Sequence, residues 1–207
     1  MRLVLGTNNS KKRRELALLL EPLGFELLTL ADFPQALAVT EDGNSFAENA
    51  ALKATRQALN LQEWVVGEDS GLLVDALGGR PGIYSARYAG ENANDDANNR
   101  KLLDELKDVP TEARTAHYVC HITVADPEGN IRADSEARCS GRIGWQRVGD
   151  AGFGYDPLFI IPEYRQTFAQ LGDAVKSILS HRARASRRLI PQLKQLAHAQ
   201  ALSHESE

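Results

Sequence analysis

Apolar residues recur along this chain with two periods, and the period changes near residue 115. Leu3-Val4-Leu5 is an apolar run closed by Gly6 and predicts a first strand. Leu16, Leu19, Leu20 and Leu23 then fall at i, i+3, i+4 and i+7. That spacing predicts a helix from about Lys11 to Leu20, with Gly24 at its stop. Phe25 to Leu30 reads as a second strand. Ser45-Phe46-Ala47-Glu48 matches a capping box, in which the Ser45 hydroxyl and the Glu48 carboxylate close each other's free N–H groups. The helix it opens should run to about Leu59. Trp64-Val65-Val66 predicts a short buried strand ending at Gly67 to Gly71, and Gly78 to Gly82 a loop. Asn98 to Leu106 reads as helix. From Thr115 the residues are β-like: Thr115 to Ala125 and Ile131 to Cys139 should pair as an antiparallel hairpin across Asp126-Pro127-Glu128-Gly129-Asn130. A glycine-rich loop, Gly149 to Gly154, precedes a strand at Pro157 to Ile161. The C-terminus is helical from about Arg182, with Pro191 expected to kink or restart it. Strands alternate with helices until the hairpin breaks the βαβ pattern, which predicts an α/β fold with a mixed sheet and two lobes.

Composition narrows the function. With 24 basic against 28 acidic residues the net charge is −4, which disfavours a surface for long nucleic acid. No run approaches the roughly 18 apolar residues of a membrane span, and the opening apolar run is too short for a signal peptide. A cytoplasmic protein is expected. The two cysteines, Cys120 and Cys139, lack metal-binding spacing and read as buried thiols.

The first helix opens on Lys11, Lys12, Arg13 and Arg14. Cations at a helix N-terminus oppose the macrodipole by roughly 0.3–1 kcal/mol each. They make sense if an anion sits among them, where the exposed N–H groups of the same turn would also bind it; a solvated basic face is the equal alternative. Acidic residues stand at two other junctions, Glu41-Asp42 before the second helix and Glu68-Asp69 after the Trp64 strand. Carboxylates beside a phosphate site need a hard cation between them, and Mg²⁺ fits. Glu68 by itself reads as ordinary surface charge, and Glu41 and Asp69 stand even between that and a metal role. Asn49 and Lys53 share one helical face, from which Lys53 could reach a phosphate. In Gly152-Phe153-Gly154-Tyr155-Asp156-Pro157, aromatics between glycines would let a flat ligand stack on a ring. Lys176 to Arg182 offers hydrogen-bond donors just before a helix. His117 and His121 read as packing residues.

Taken together, these segments resemble the inosine/xanthosine triphosphate pyrophosphatase family, also called dITP/XTP pyrophosphatases, from Leu5 to about Arg184. Thr7 to Lys12 with Glu15 is similar to its opening signature, and Ser45 to Ala50 with Lys53 to its FxENAxxKA helix. Glu68 to Leu72 and Leu77 to Tyr88 are similar to its DSGL…GGxPGxYSARY block. Gly152 to Phe159 resembles GFGYDPxF, and Ser180-His181-Arg182 resembles SHR. The resemblance implies that Asp69 is the general base and a metal contact, with Glu41 the second metal carboxylate. It implies that Thr7, Asn8, Asn9, Ser10, Lys11, Lys12, Lys53, Ser70 and Lys176 hold a triphosphate. Phe153 would stack on a purine, with Gly154, Tyr155, Asp156, His181 and Arg182 at the base. The implied activity is Mg²⁺-dependent hydrolysis of ITP, dITP and XTP to monophosphate and pyrophosphate, which cleanses the nucleotide pool. The implied architecture is an elongated mixed sheet flanked by helices, one two-lobed domain over residues 1–207 with its active site in the cleft, acting as a homodimer. A mobile tail is expected from about residue 203. A pyrimidine-directed pyrophosphatase is disfavoured by the GFGYDP and SHR segments. A non-catalytic nucleotide-binding regulator is disfavoured by the presence of Glu41 and Asp69.

Overall fold

The computed structural model describes residues 1–204, so the expected mobile tail lies, from residue 205 on, outside the described residues. β1 (Arg2–Leu5) runs parallel to β2 (Glu26–Thr29) on one side and to β3 (Val65–Val74) on the other, with Leu3 opposite Leu27 and Val4 opposite Val65. β4 (Thr115–Ala125), β5 (Ile131–Ile143), β6 (Phe159–Ile161) and β7 (Gln166–Thr167) complete a seven-stranded sheet of order β2-β1-β3-β4-β5-β6-β7. The β5–β6 and β6–β7 pairs are antiparallel, so the sheet is mixed. The helices are α1 (Ser10–Leu20), α2 (Phe46–Leu61), α3 (Asp95–Glu105), α4 (Phe168–Leu179) and α5 (His181–His204). Parallel neighbours need crossover connections, and α1 and α2 supply them for β1, β2 and β3. The protein is an α/β fold.

The chain divides into two compact units. Among the described residues, 1–69, 120–137 and 182–204 form the first; residues 70–119 and 138–181 form the second. In the first, side-chain alternation along the strands sorts the core into two layers. Leu3, Leu5, Val66, Cys120, Ile122 and Val124 pack with Leu16 and Leu20 of α1 and Ala185, Leu189 and Leu193 of α5. Val4, Val65 and Ala125 pack with Ala54, Ala58 and Leu61 of α2. In the second unit, Leu72 and Val74 of β3 pack with Leu102 of α3, Phe159 of β6 and Phe168 of α4. The Phe159 ring lies 4.6 Å from Tyr118 and 5.5 Å from Phe168.

Several elements depart from the sequence reading. β3 does not stop at Gly67 but continues to Val74, carrying the glycine-interrupted stretch 67–71 as strand. The second strand is shorter than expected, and Leu30–Asp32 turns into a 3-10 helix. α4 was not anticipated; it is opened by a full capping box between Thr167 and Gln170, and Gly172 inside it is non-helical at φ 74°. α5 runs as one helix through Pro191, so nothing restarts there. Its apolar residues Ala185, Leu189 and Leu193 are buried on both sides of the proline, and that packing outweighs the one bond the proline cannot make. The Ser45 hydroxyl caps α2 as expected, accepting from Glu48 N at 3.1 Å. The Glu48 carboxylate reaches one residue further back, to Asn44 N at 2.7 Å, and the box closes there instead. Cys120 and Cys139 are free, buried thiols.

Gly67 allows α2 to press on β3. A Cβ there would stand 2.2 Å from Ala50 O and 2.6 Å from Ala54 N, both backbone atoms that cannot turn aside. Gly67→Ala is therefore expected to lower the unfolding free energy by at least about 2 kcal/mol, through overpacking. Urea denaturation measures this, and an unchanged midpoint would show that α2 can retreat.

Candidate active site

The polar turn after β1 begins with Gly6, whose Cα lies so close to β3 that a Cβ would meet Val65 Cγ1 at 2.8 Å. Thr7 is buried and its hydroxyl accepts from Asn9 N at 3.2 Å, while Asn8, Asn9 and Ser10 are exposed. Asn9 caps α1, its Oδ1 accepting from Lys11 N at 3.0 Å and Lys12 N at 3.1 Å. Two N–H groups expected to await an anion are thus already satisfied by the cap. What the turn presents is the side chains of the exposed polar residues and Lys11.

β3 then places two consecutive acids on opposite faces. Val65 and Gly67 face α2, Val66 faces α1 and α5, and the alternation carries on through Glu68 and Asp69. Asp69 faces α2, where Lys53 Nζ donates to its Oδ1 at 3.1 Å and Asn49 Nδ2 to its Oδ2 at 3.2 Å. The same ammonium donates to Glu41 Oε2 at 2.9 Å. Asn49 and Lys53 lie one helical turn apart on α2, so Asp69 is gripped by successive turns. Burial works against charge on all three ionisable groups. On Lys53 the two carboxylates outweigh it and the pKa is raised. On Glu41 the nearby lysines outweigh it and the pKa is lowered. On Asp69 burial wins over Lys53 and Lys12, and the pKa is raised.

Glu68 is 0% exposed, not the surface charge its sequence context suggested. Arg182 Nη2 donates to its Oε1 at 2.9 Å, the Cys120 thiol donates to the same oxygen at 3.3 Å, and Lys12 Nζ stands 3.1 Å from Oε2. Arg182 is itself 1% exposed, and its Nη1 pairs with Glu15 of α1. Burial opposes the guanidinium charge, but Glu68 and Glu15 raise its pKa overall. Burial and the Glu68 charge push the Cys120 thiol well up, which keeps it protonated and a donor.

The second unit gathers another set. Asp156 and Lys176 are both buried and paired at 2.6 Å. Asp156 Oδ2 also accepts from Phe153 N at 2.8 Å, and the Lys176 ammonium stands 4.1 Å from the centre of the Phe153 ring. Gly152 is required at φ 78°, since a Cβ there would stand 2.1 Å from Asp156 Oδ2. Gly154 N donates to Asp95 Oδ2 at 2.9 Å and Gly154 O accepts from Asn99 Nδ2 at 2.8 Å, so the start of α3 holds this loop. The Tyr155 hydroxyl is committed to Ser85 O at 2.8 Å. The His181 ring stacks on Tyr118 at 4.6 Å. Ser70, the first residue of this unit, is half-buried. The structure therefore brings Glu41, Lys53 and Asp69 together, Lys12 and Arg182 together on Glu68, and Phe153, Asp156 and Lys176 together.

Asn99 and Asp95 carry the GFGYD loop and were missed by sequence reading, although Asp95 at a helix start is where an acid is favoured. Glu41 and Asp69 are the residues whose oxygens could hold a metal ion. Both converge on one cation, Lys53, and hard carboxylate oxygens suit Mg²⁺. Among the described residues, no group of three or more His, Cys, Asp or Glu is arranged to bind a metal by itself. Further ligands would have to come from water or substrate.

Comparison with known proteins gives the family and the fold. Residues 3–192 match the model of the Ham1 family. The chain is 53% identical to a dITP/XTP pyrophosphatase of Rhodopirellula baltica, over 97% of its own length and 97% of that protein's. It is 48% identical to a dITP/XTP pyrophosphatase of Desulforamulus reducens, over 95% and 97%. Its fold matches that of a HAM1 protein from Coxiella burnetii with TM-score 0.86 at 32% identity, covering 94% of this chain and 99% of that one. It matches the Staphylococcus aureus Ham1 protein with TM-score 0.82 at 36% identity, covering 96% and 100%.

The Arg182 network makes a stability prediction. Arg182→Met leaves the Glu68 carboxylate in the interior without its guanidinium and should cost about 3–5 kcal/mol in urea unfolding, the range for a broken buried pair. A loss under about 1 kcal/mol would show the network to be as weak as an exposed ion pair.

Proposed function

The chain belongs to the Ham1 family, and from that premise we propose that it hydrolyses non-standard purine nucleoside triphosphates, ITP, dITP and XTP, to the monophosphate and pyrophosphate. The observation that carries the reading is the convergence of Glu41 and Asp69 on the single ammonium of Lys53. Two carboxylates held 2.9 and 3.1 Å from one cation make a site that accepts a divalent ion and repels bare phosphate. That is the chemistry of a metal–triphosphate complex.

In this reading Asp69 is the general base. Its carboxylate is held by both Lys53 and Asn49, and a positioned carboxylate can take a proton from water. Asn49 fixes its orientation. The water oxygen attacks the α-phosphorus, its proton passes to Asp69, and the bond from that phosphorus to the α–β bridging oxygen breaks. Mg²⁺, held by Glu41 and Asp69, would supply charge neutralisation on the phosphate oxygens. Lys53 and Lys12, with Thr7, Asn8, Asn9, Ser10, Lys11 and Ser70, bind the triphosphate. The charged groups are held before substrate arrives, so they stabilise the developing charge without reorganising.

Phe153 stacks on the base. Lys176, expected from sequence on the triphosphate, belongs to the Phe153–Asp156 cluster, and we assign it to the C6 oxygen of hypoxanthine or xanthine. Adenine carries an amino donor there, which an ammonium cannot satisfy, and such a mismatch is worth several decades in selectivity. His181, Arg182, Gly154, Tyr155 and Asp156 complete the base side. Arg182 and Tyr155 act through the groups they hold, since the Tyr155 hydroxyl and both terminal nitrogens of Arg182 are engaged within the protein.

The proposal includes a homodimer. It places the enzyme in the cytoplasm with the nucleotide pool it cleanses, acting on small molecules and not on nucleic acid or membrane. No helix among the described residues is long and apolar enough to cross a membrane.

The test supplies ITP, XTP, dITP, GTP and ATP with and without Mg²⁺ and measures pyrophosphate and orthophosphate separately. Metal-dependent pyrophosphate from ITP, dITP and XTP is expected, with Asp69→Asn at least about 100-fold slower, as for a lost general base. Orthophosphate as first product, or an active Asp69→Asn, would overturn the reading.

A further inference from the structure

Glu41 stands on a segment, residues 33–45, that forms neither helix nor strand. The segment is fixed by one face of α2. Asn49, Lys53 and Gln57 recur every four residues along that face, and all three are buried. Asn49 Oδ1 accepts from Gly43 N at 2.9 Å, and Lys53 pairs with Glu41. Gln57 turns to the backbone instead. Its Oε1 accepts from Leu37 N at 3.1 Å and its Nε2 donates to Leu37 O at 2.6 Å, so one carboxamide takes both backbone groups of one residue. The Leu37 side chain is 42% exposed, so burial of that side chain does not anchor this point of the segment. Gln57 is 1% exposed, between the core alanines Ala54 and Ala58. A buried amide there is costly unless paired, and its pairing is spent wholly on Leu37. One turn further on, Asn60 Nδ2 donates to Gln35 O at 2.8 Å.

We propose that Gln57 is a positioning residue for Glu41, its carboxamide clamping Leu37 four residues upstream so that the carboxylate is presented to the metal in one place. The proposal rests on the reading of Glu41 as a metal carboxylate. With Leu37 held by Gln57 and Gly43 held by Asn49, the chain between has both ends tied to one rigid helix. Few conformations remain open to it, and a preorganised ligand binds without the cost of being ordered.

Gln57→Met keeps the length and apolar volume and removes both hydrogen bonds. The readouts are Mn²⁺ affinity of the whole protein by electron paramagnetic resonance and amide exchange across residues 37–43. Gln57→Met is expected to weaken Mn²⁺ binding about tenfold, the order of one or two lost hydrogen bonds, and to speed exchange in that segment. In a Glu41→Gln background the same substitution should weaken Mn²⁺ by less than about twofold more, because residues acting through one another are not additive. Unchanged affinity in Gln57→Met while Glu41→Gln binds weakly, or full multiplication of the two effects, overturns the proposal and leaves the Glu41 assignment standing. Unchanged affinity in Glu41→Gln overturns that assignment itself. Should Gln57→Met fail to fold, the exposed Asn60→Ala loosens the same segment through Gln35. It is expected to give a smaller shift in the same direction, and faster exchange there with no change in affinity would count against the clamp.

Discussion

Both faces of β3 are covered from Val65 to Asp69, and this constraint governs the chemistry of the first unit. Successive side chains on a strand point to opposite faces. Two adjacent carboxylates on such a strand turn their oxygens into different layers. Each has to be met by cations from its own layer, because an unpaired charge in the interior costs several kcal/mol. Asp69 is met from α2 by Lys53 and Asn49. Glu68 is met from α1 and α5 by Lys12 and Arg182, with a thiol from β4. A single pair of neighbouring acids thus fixes the chemistry of three helices.

α2 bears the clearest mark of this. An amphipathic helix places apolar residues inward, and Ala50, Ala54, Ala58 and Leu61 do so. Beside them runs the polar row Asn49, Lys53 and Gln57. Each makes bonds that apolar packing could not, to Asp69, to Glu41 and to the backbone of the segment that carries Glu41. Small alanines bring the helix close enough for those bonds, and Gly67 lets β3 meet it without a side chain between. Close packing and polar reach are therefore one arrangement. A bulkier apolar row would move Lys53 away from its carboxylates.

The sequence made parts of this legible and hid others for physical reasons. α1 and α2 announced themselves by leucine periodicity and by the Ser45 cap. The same periodicity put Asn49 and Lys53 on one face. The burial of Glu68 was not legible, because an acid beside an acid in a glycine-rich stretch looks like a loop. Only the strand's continuation to Val74 makes it interior. α4 was hidden by Gly172, whose positive φ interrupts the helix it lies in, and with it the true setting of Lys176. That lysine stands in the last turn of a helix of its own, and not only before the next one. Gln57 carried no signal at all, since its partner is a backbone and backbone partners leave no pattern in side-chain types.

The second unit solves a similar problem by different means. Asp156 Oδ2 is shared by a backbone N–H and the Lys176 ammonium. The carboxylate closes its own loop and at the same time holds a cation against the Phe153 ring. Gly152 is needed beside it because the oxygen occupies the space a Cβ would take. Such a loop cannot shift without breaking a buried ion pair, so ring and ammonium keep a fixed mutual geometry. Ion pairs buried this deeply add little net stability compared with well-packed apolar residues. Their consequence here is positional: a flat ring and a directed donor, held in one relation before any ligand arrives. Catalysis and selectivity both depend on that kind of prior order, because every freedom removed in folding is one that binding need not remove.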